Sequence, residues 1–212
     1  MRLVRATRRE MLEKCIAGGT LLAAAPMSQS RLLALWQQKE AHAPKHTAEN
    51  EIGPFFKKGA PEKTVLRADG DPGFPLQVSG RILNTRGDLV QGAKLEIWQA
   101  DHLGHYDIAG YRYRAKMSAG EKGEYEFSTV MPGHYPDRVC QHIHYIITAP
   151  GHKPLITQLY FATDPVFAGD PDKNYVKDPV LESRELIRPV TLVEEGSSAH
   201  AAVVFELCIE KA

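Results

Sequence analysis

Leu76-Gln77-Val78-Ser79-Gly80-Arg81-Ile82, followed by Asn84-Thr85-Arg86-Gly87, is the stretch whose reading decides the fold. Side chains along a β-strand point alternately to its two faces, so apolar residues at every second position mark a strand with one buried face. The Asn- and Gly-bearing segment after it supplies a turn. The same pattern recurs downstream. Ala93, Leu95 and Ile97 continue it and end at Trp98-Gln99-Ala100-Asp101, and Glu124-Tyr125-Glu126-Phe127 follows a turn at Lys122-Gly123. A further strand runs from about His142 to Thr148, and Leu155 to Phe161 is apolar. Ala201 to Ile209 closes the chain with Val203, Phe205, Leu207 and Ile209 on one face. Short strands between Gly, Pro and Asp turns, with no convincing amphipathic helix among them, predict an all-β fold, an antiparallel β-sandwich.

Upstream of this body the character changes. Residues 38–75 are polar, proline-punctuated and weakly periodic, which predicts an extended N-terminal arm wrapped over the core. The first thirty residues differ again: Thr7-Arg8-Arg9-Glu10-Met11-Leu12 precedes a mildly apolar stretch from Cys15 to Pro26. Paired arginines before a segment ending in Ala23-Ala24-Ala25 resemble a twin-arginine export signal. The division expected is a signal over 1–30, an arm over 31–75 and the sandwich over 76–212, with a periplasmic or otherwise exported location. The alternative is a helical arm that stays attached, helped by Leu32, Leu33, Leu35 and Trp36, in a cytoplasmic protein.

With 212 residues and a formal net charge of zero, the chain suits one globular domain plus an extension. The balanced charge gives no reason to expect nucleic acid or an anionic membrane as partner, and no apolar stretch is long enough to span a bilayer. Cys140 and Cys208 lie outside the signal-like segment; one disulfide and two free, part-buried thiols are equally compatible with their positions.

Chemistry concentrates in Gln141-His142-Ile143-His144. On a strand, His142 and His144 share a face, and two imidazoles on one face can bind one metal ion. Tyr106 and Tyr135 each follow a glycine-containing turn, Gly104-His105-Tyr106 and Pro132-Gly133-His134-Tyr135. Glycine lets a backbone approach a site closely. Two phenols with two imidazoles suit a hard, oxidised iron, whereas zinc or copper more often takes cysteine, a third histidine or a carboxylate. The bland alternatives are two half-exposed strand histidines and two amphipathic core tyrosines. Among the other histidines, His102, His105, His134 and His152 read as loop residues around the site, with His105 and His134 placed to shape a pocket.

The strings Gly92-Ala93-Lys94-Leu95-Glu96-Ile97-Trp98-Gln99-Ala100-Asp101 and Gly104-His105-Tyr106 resemble intradiol ring-cleavage dioxygenases of the protocatechuate/catechol type. So do Tyr125-Glu126-Phe127-Ser128-Thr129-Val130-Met131-Pro132-Gly133-His134-Tyr135-Pro136, His142-Ile143-His144, and Leu155 to Phe161 with Asp164-Pro165. Gly53-Pro54-Phe55-Phe56 in the arm resembles the same family. The resemblance runs from about residue 47 to 165, in the family's order, and implies a prealbumin-like sandwich.

It also implies that Tyr106, Tyr135, His142 and His144 hold one Fe(3+), with a hydroxide completing the coordination. A free phenol has a pKa of about 10, but a trivalent cation strongly favours the phenolate, so tyrosine becomes an anionic ligand. By the same resemblance a small aromatic diol binds as a dianion in place of Tyr135, and O2 cleaves its ring to a muconate-type diacid. A homo-oligomer is compatible with it. One departure matters: the family's arginine three residues before the first histidine is Val139 here, with Arg138 one residue earlier as the candidate replacement. Gln158 matches a family glutamine near the substrate. Arg112 and Arg114 are candidates for a ring carboxylate, or solvated loop charges. The competing expectations are a non-catalytic prealbumin-like binding module and an iron-binding relative that has lost activity.

Overall fold

The computed structural model describes residues 44–135, 138–196 and 198–212. The export signal and the helical alternative to it lie outside the described residues, as does the first part of the arm.

Among the described residues ten strands follow in chain order: β1 (Pro75–Asn84), β2 (Lys94–Trp98), β3 (Arg114–Ser118), β4 (Glu124–Val130), β5 (His142–Thr148), β6 (Leu155–Phe161), β7 (Ile187–Arg188), β8 (Val190–Glu195), β9 (Ser198–Val204) and β10 (Leu207–Ile209). One sheet has the order β3-β2-β5-β6-β7, and the other joins β4, β1, β8, β9 and β10. Val78 and Phe127 from one sheet, and Ile97, Ile143 and Leu159 from the other, are among the fully buried side chains of the core. The segment between β6 and β7 holds an α-helical turn, Pro171–Asn174, and short 3-10 turns.

The sandwich is the one that the alternation predicts, and its sheets are mixed. β1 runs antiparallel to β4 but parallel to β9 and β10, and β6 runs parallel to β7. Alternation reports which face is buried, not the direction of a neighbour. β3, β7 and β8 are not predicted by the sequence pattern. β3 opens on a buried charge, Arg114, and β8 leaves most of its residues partly or fully exposed, so neither shows clean alternation.

The closing strand expected over Ala201–Ile209 is interrupted at Phe205 and Glu206. Its register along β1 survives the break, with Val78 opposite Val203 and Leu83 opposite Cys208. Gly80 explains the interruption. Tyr125, its cross-strand partner, lies over Gly80 and donates its hydroxyl to the Phe205 carbonyl at 2.5 Å. A Cβ on Gly80 would lie 2.0 Å from that carbonyl oxygen and 2.6 Å from the tyrosine ring. Gly80→Ala is therefore expected to destabilise the protein by about 2–4 kcal/mol, read from urea unfolding. Tyr125→Phe, which only strands the carbonyl, is expected to cost about 1–2 kcal/mol.

From residue 44 to β1 the chain is pinned strand by strand. Thr47 N–H bonds the Cys208 carbonyl, Asn50 N–H that of Ile156, Lys63 N–H that of Lys116 and Leu66 N–H that of Ser128. Cys140 and Cys208 are free thiols and buried, which selects the thiol alternative. No helix among the described residues is long and apolar enough to cross a membrane.

Candidate metal centre

Strand register assembles half of the site. Trp98 on β2, His144 on β5 and Gln158 on β6 are cross-strand partners, and His142 pairs with Tyr160. Directly opposite residues share a face, so these side chains lie together on the side of the sheet away from Ile143 and Tyr145. Trp98 stacks on His144 with centroids 4.8 Å apart and planes 4° from parallel.

The tyrosines arrive from the ends of two strands, one in each sheet. The buried amide of Gln99, just past β2, donates to the Val130 carbonyl at the end of β4 and accepts from the Thr129 hydroxyl. The chain continuing from β2 and the chain continuing from β4 therefore leave side by side. Asp101 shapes the first: its carboxylate accepts from Leu103 and His105 N–H, and its carbonyl from Gly104 and Gly133 N–H. The two loops meet through glycine. A Cβ on Gly104 would lie 1.8 Å from the His134 carbonyl oxygen, and one on Gly133 would lie 2.5 Å from Gly104 N. That backbone contact brings the Tyr106 and Tyr135 rings to 5.6 Å between centroids. Tyr106 Oη is 3.4 Å from His142 Nε2, and the Tyr135 ring is 5.8 Å from the His142 ring. The four residues singled out from the sequence thus converge.

The arm forms the outer wall. A Cβ on Gly53 would sit 3.0 Å from the His144 ring, Phe55 stacks on Tyr106 at 4.3 Å, and Phe56 lies 5.0 Å from Trp98. Arg114, buried, holds the arm by donating to the Phe55 carbonyl, and its other nitrogens reach the Asp107 carbonyl. It is not a solvated loop charge. Arg112 is engaged with Asp71 at 2.8 Å and with the Tyr113 hydroxyl.

At the site's other edge Arg138 faces inward and Val139 outward, the latter 39% exposed. Arg138 donates to Gln158 Oε1 at 3.0 Å and to Tyr160 Oη at 2.8 Å, with Asp178 at 3.7 Å. Gln158 in turn donates to the Glu51 carbonyl of the arm. Two buried carboxylates were given no role by the sequence. Asp178 accepts from Cys140 and Val180 N–H, while Asp164 accepts from His134, Gln141 N–H and Val166 N–H. For Asp164 the signals were the adjoining proline, which marks an N-cap, and the place of Asp164-Pro165 in the family-like string.

The electrostatics suit a cation. Burial, followed by the Arg138 charge, pushes His142 down to about 3, so its imidazole is neutral. Its Nδ1 donates to the Cys140 carbonyl at 2.8 Å, which leaves the Nε2 lone pair toward Tyr106. Burial and the neighbouring His142 push His144 well below its ordinary value; the Glu51 backbone opposes the shift without becoming a hydrogen-bond partner. Both ring nitrogens of His144 are buried with no partner among the described residues. Burial, then Tyr135, pushes the Tyr106 phenol up, so its phenolate needs a positive charge beside it. No group of three His, Cys, Asp or Glu side chains suited to a metal occurs among the described residues. A cation here would therefore draw on phenol oxygens, and a small ion with ligands at about 2 Å could lie between groups spaced like Tyr106 and His142.

The family profile described as Dioxygenase matches residues 51–211. Chlorocatechol 1,2-dioxygenase of Rhodococcus opacus is 30% identical over 74% of this chain and 70% of its own length. Hydroxyquinol 1,2-dioxygenase of Nocardioides simplex is 31% identical over 69% of this chain, which spans only 57% of that protein. The solved dioxygenase domain of a dioxygenase and carbohydrate-binding fusion from Streptomyces sp. SirexAA-E is 31% identical, with a TM-score of 0.68 over 79% of this chain and all of that one. With the fold and these matches in agreement, the chain belongs to the intradiol ring-cleavage dioxygenase family.

Proposed function

We propose that this protein is an Fe(III) intradiol dioxygenase that opens the ring of a catechol-type diol between its two hydroxylated carbons, with O2 as co-substrate and a muconate-type diacid as product. One observation carries the metal: His144 is buried with both nitrogens unpartnered among the described residues, beside His142, Tyr106 and Tyr135. Leaving such a group without a partner costs about 1–3 kcal/mol, which a bound cation would offset. Tyr106, Tyr135, His142 and His144 would hold a ferric ion, which supplies a Lewis acid and a template for both diol oxygens.

The remaining chemistry falls to the chain. Tyr135 Oη, on its loop and held as the phenolate that a ferric ion would favour, would take up one diol proton. Arg138, held by Gln158 and Tyr160, would stabilise the negative charge left on the deprotonated diol. Its inward course supports Arg138, with Val139 turned outward, as the arginine that the resemblance calls for. Phe55 over Tyr106 keeps water from that phenol. Arg112 and Arg114 are both engaged, which favours diols without a ring carboxylate; the chlorocatechol and hydroxyquinol named for the relatives are of that kind. Export through the paired arginines Arg8-Arg9 belongs to the same proposal and is read from the periplasmic fraction of cells making the full chain.

The test is the visible spectrum of the purified protein, with iron analysis, before and after anaerobic catechol. A broad phenolate-to-iron band that shifts with the diol, followed by oxygen uptake on admitting air, is the expected result. Protein that stays colourless after aerobic iron loading would leave the non-catalytic sandwich. A band without turnover of any diol would leave an inactive iron-binding relative.

A further inference from the structure

Tyr135 and Arg138 lie between His134 and Gln141 in sequence. Both ends converge on one side chain. Asp164 follows β6, and its carboxylate is completely buried. His134 Nε2 lies 3.1 Å from each of its oxygens, Gln141 N–H donates to Oδ2 at 2.7 Å, and Val166 N–H donates to Oδ1 at 2.9 Å. Gln141 adds a second tie across the same neck, from its side-chain amide to the Pro132 carbonyl at 2.6 Å. His134 directly precedes Tyr135, and Gln141 directly precedes His142. One carboxylate therefore grips the residue next to a tyrosine and the residue next to a histidine, from two different segments, without itself entering the site.

We propose that Asp164 is a positioning residue: by clasping His134 and Gln141 it fixes the distance between the Tyr135 and His142 segments, and so the geometry of the metal between them. The inference rests on the reading of the site as an iron centre. Two features favour a dedicated clasp over ordinary packing. A buried carboxylate is costly to place unless its acceptors are filled, and here hydrogen bonds reach both oxygens. Those bonds also bridge segments that carry different proposed ligands, whereas the Val166 bond alone would satisfy a turn. The neck is thus held while Tyr135, beyond it, remains on a loop that can yield to a substrate.

The experiment uses the full-length protein purified with its iron, comparing wild type with Asp164→Asn and His134→Ala. Three quantities are read: the position of the phenolate-to-iron band, the rate of iron loss to a chelator, and the thermal midpoint. Asp164→Asn keeps one acceptor oxygen but loses the charge and part of the clasp, so the band is expected to move and iron to be lost about 10- to 100-fold faster. His134→Ala changes a side chain 38% exposed and leaves the carboxylate's two backbone partners, so it folds even if the buried variant does not. It is expected to shift the band in the same direction and by less. A lowered thermal midpoint with wild-type band and iron loss in both variants would overturn the clasp and leave the iron centre standing. A wild-type protein with neither band nor iron would overturn the iron centre and the clasp together.

Discussion

Replacing His144 with leucine is expected to raise the stability of the iron-free protein while abolishing iron retention. Its imidazole is enclosed by Trp98, Gly53 and His142, and neither nitrogen has a hydrogen-bond partner among the described residues. Leucine has similar bulk and no polar atom to leave unsatisfied. Exchanging a buried, unpartnered polar group for an apolar one of the same size is worth about 1 kcal/mol or more to the folded state. The metal side runs the other way. Loss of a direct ligand exceeds the effect of disturbing an outer partner, so iron affinity is expected to fall by more than about 100-fold. Thermal unfolding with and without ferric ion checks both halves. Wild type should gain stability on loading, as any ligand that binds only the folded state requires, and the variant should not. If iron stabilises the two proteins equally, His144 is not a ligand.

Gly104→Ala is expected to damage fold and site together. Its φ of +90° lies in the left-handed region, which an alanine adopts at a cost of about 1–2 kcal/mol. The new Cβ would also meet the His134 carbonyl oxygen at 1.8 Å, and no side-chain rotation can move a backbone atom aside. The two tyrosine loops must separate, with a total loss of about 3 kcal/mol or more. Gly92 is the internal control: its φ is +66°, but beyond its own chain neighbours no atom of the described residues lies within 4 Å of where an added Cβ would sit. Gly92→Ala should therefore cost only the backbone penalty, about 1–2 kcal/mol. Urea unfolding separates the two, and the phenolate-to-iron band should weaken in Gly104→Ala alone.

The sites of these substitutions differ in how legible they were. His142 and His144 on one face follow from strand alternation, and that part of the site needs no tertiary information. Gly104 and Gly133 signal turns, but only the packing shows that they touch, because the contact joins strands from separate sheets. The choice between Arg138 and Val139 lay in a loop where no period applies. Arg114 has the composition of a loop charge and the environment of a core residue, since the carbonyls that hold it come from elsewhere in the chain. Parallel pairing of β1 with β9 and β10 is invisible to alternation for a similar reason: direction is a property of two strands, and sequence pattern describes one.

The staple between Thr47 and Cys208 has a consequence for when this protein can assemble. The two ends of the interaction are far apart in sequence, and β1 finds its parallel neighbours only far downstream. The arm that walls the site with Gly53 and Phe55 precedes every strand that holds it, from Arg114 and β6 to β10 at Thr47. Long-range pairings of this kind delay folding until both partners exist. Assembly of the proposed centre is thus expected to wait for β10: metal supplied before that strand exists would meet His142 and His144 before the arm had closed over them.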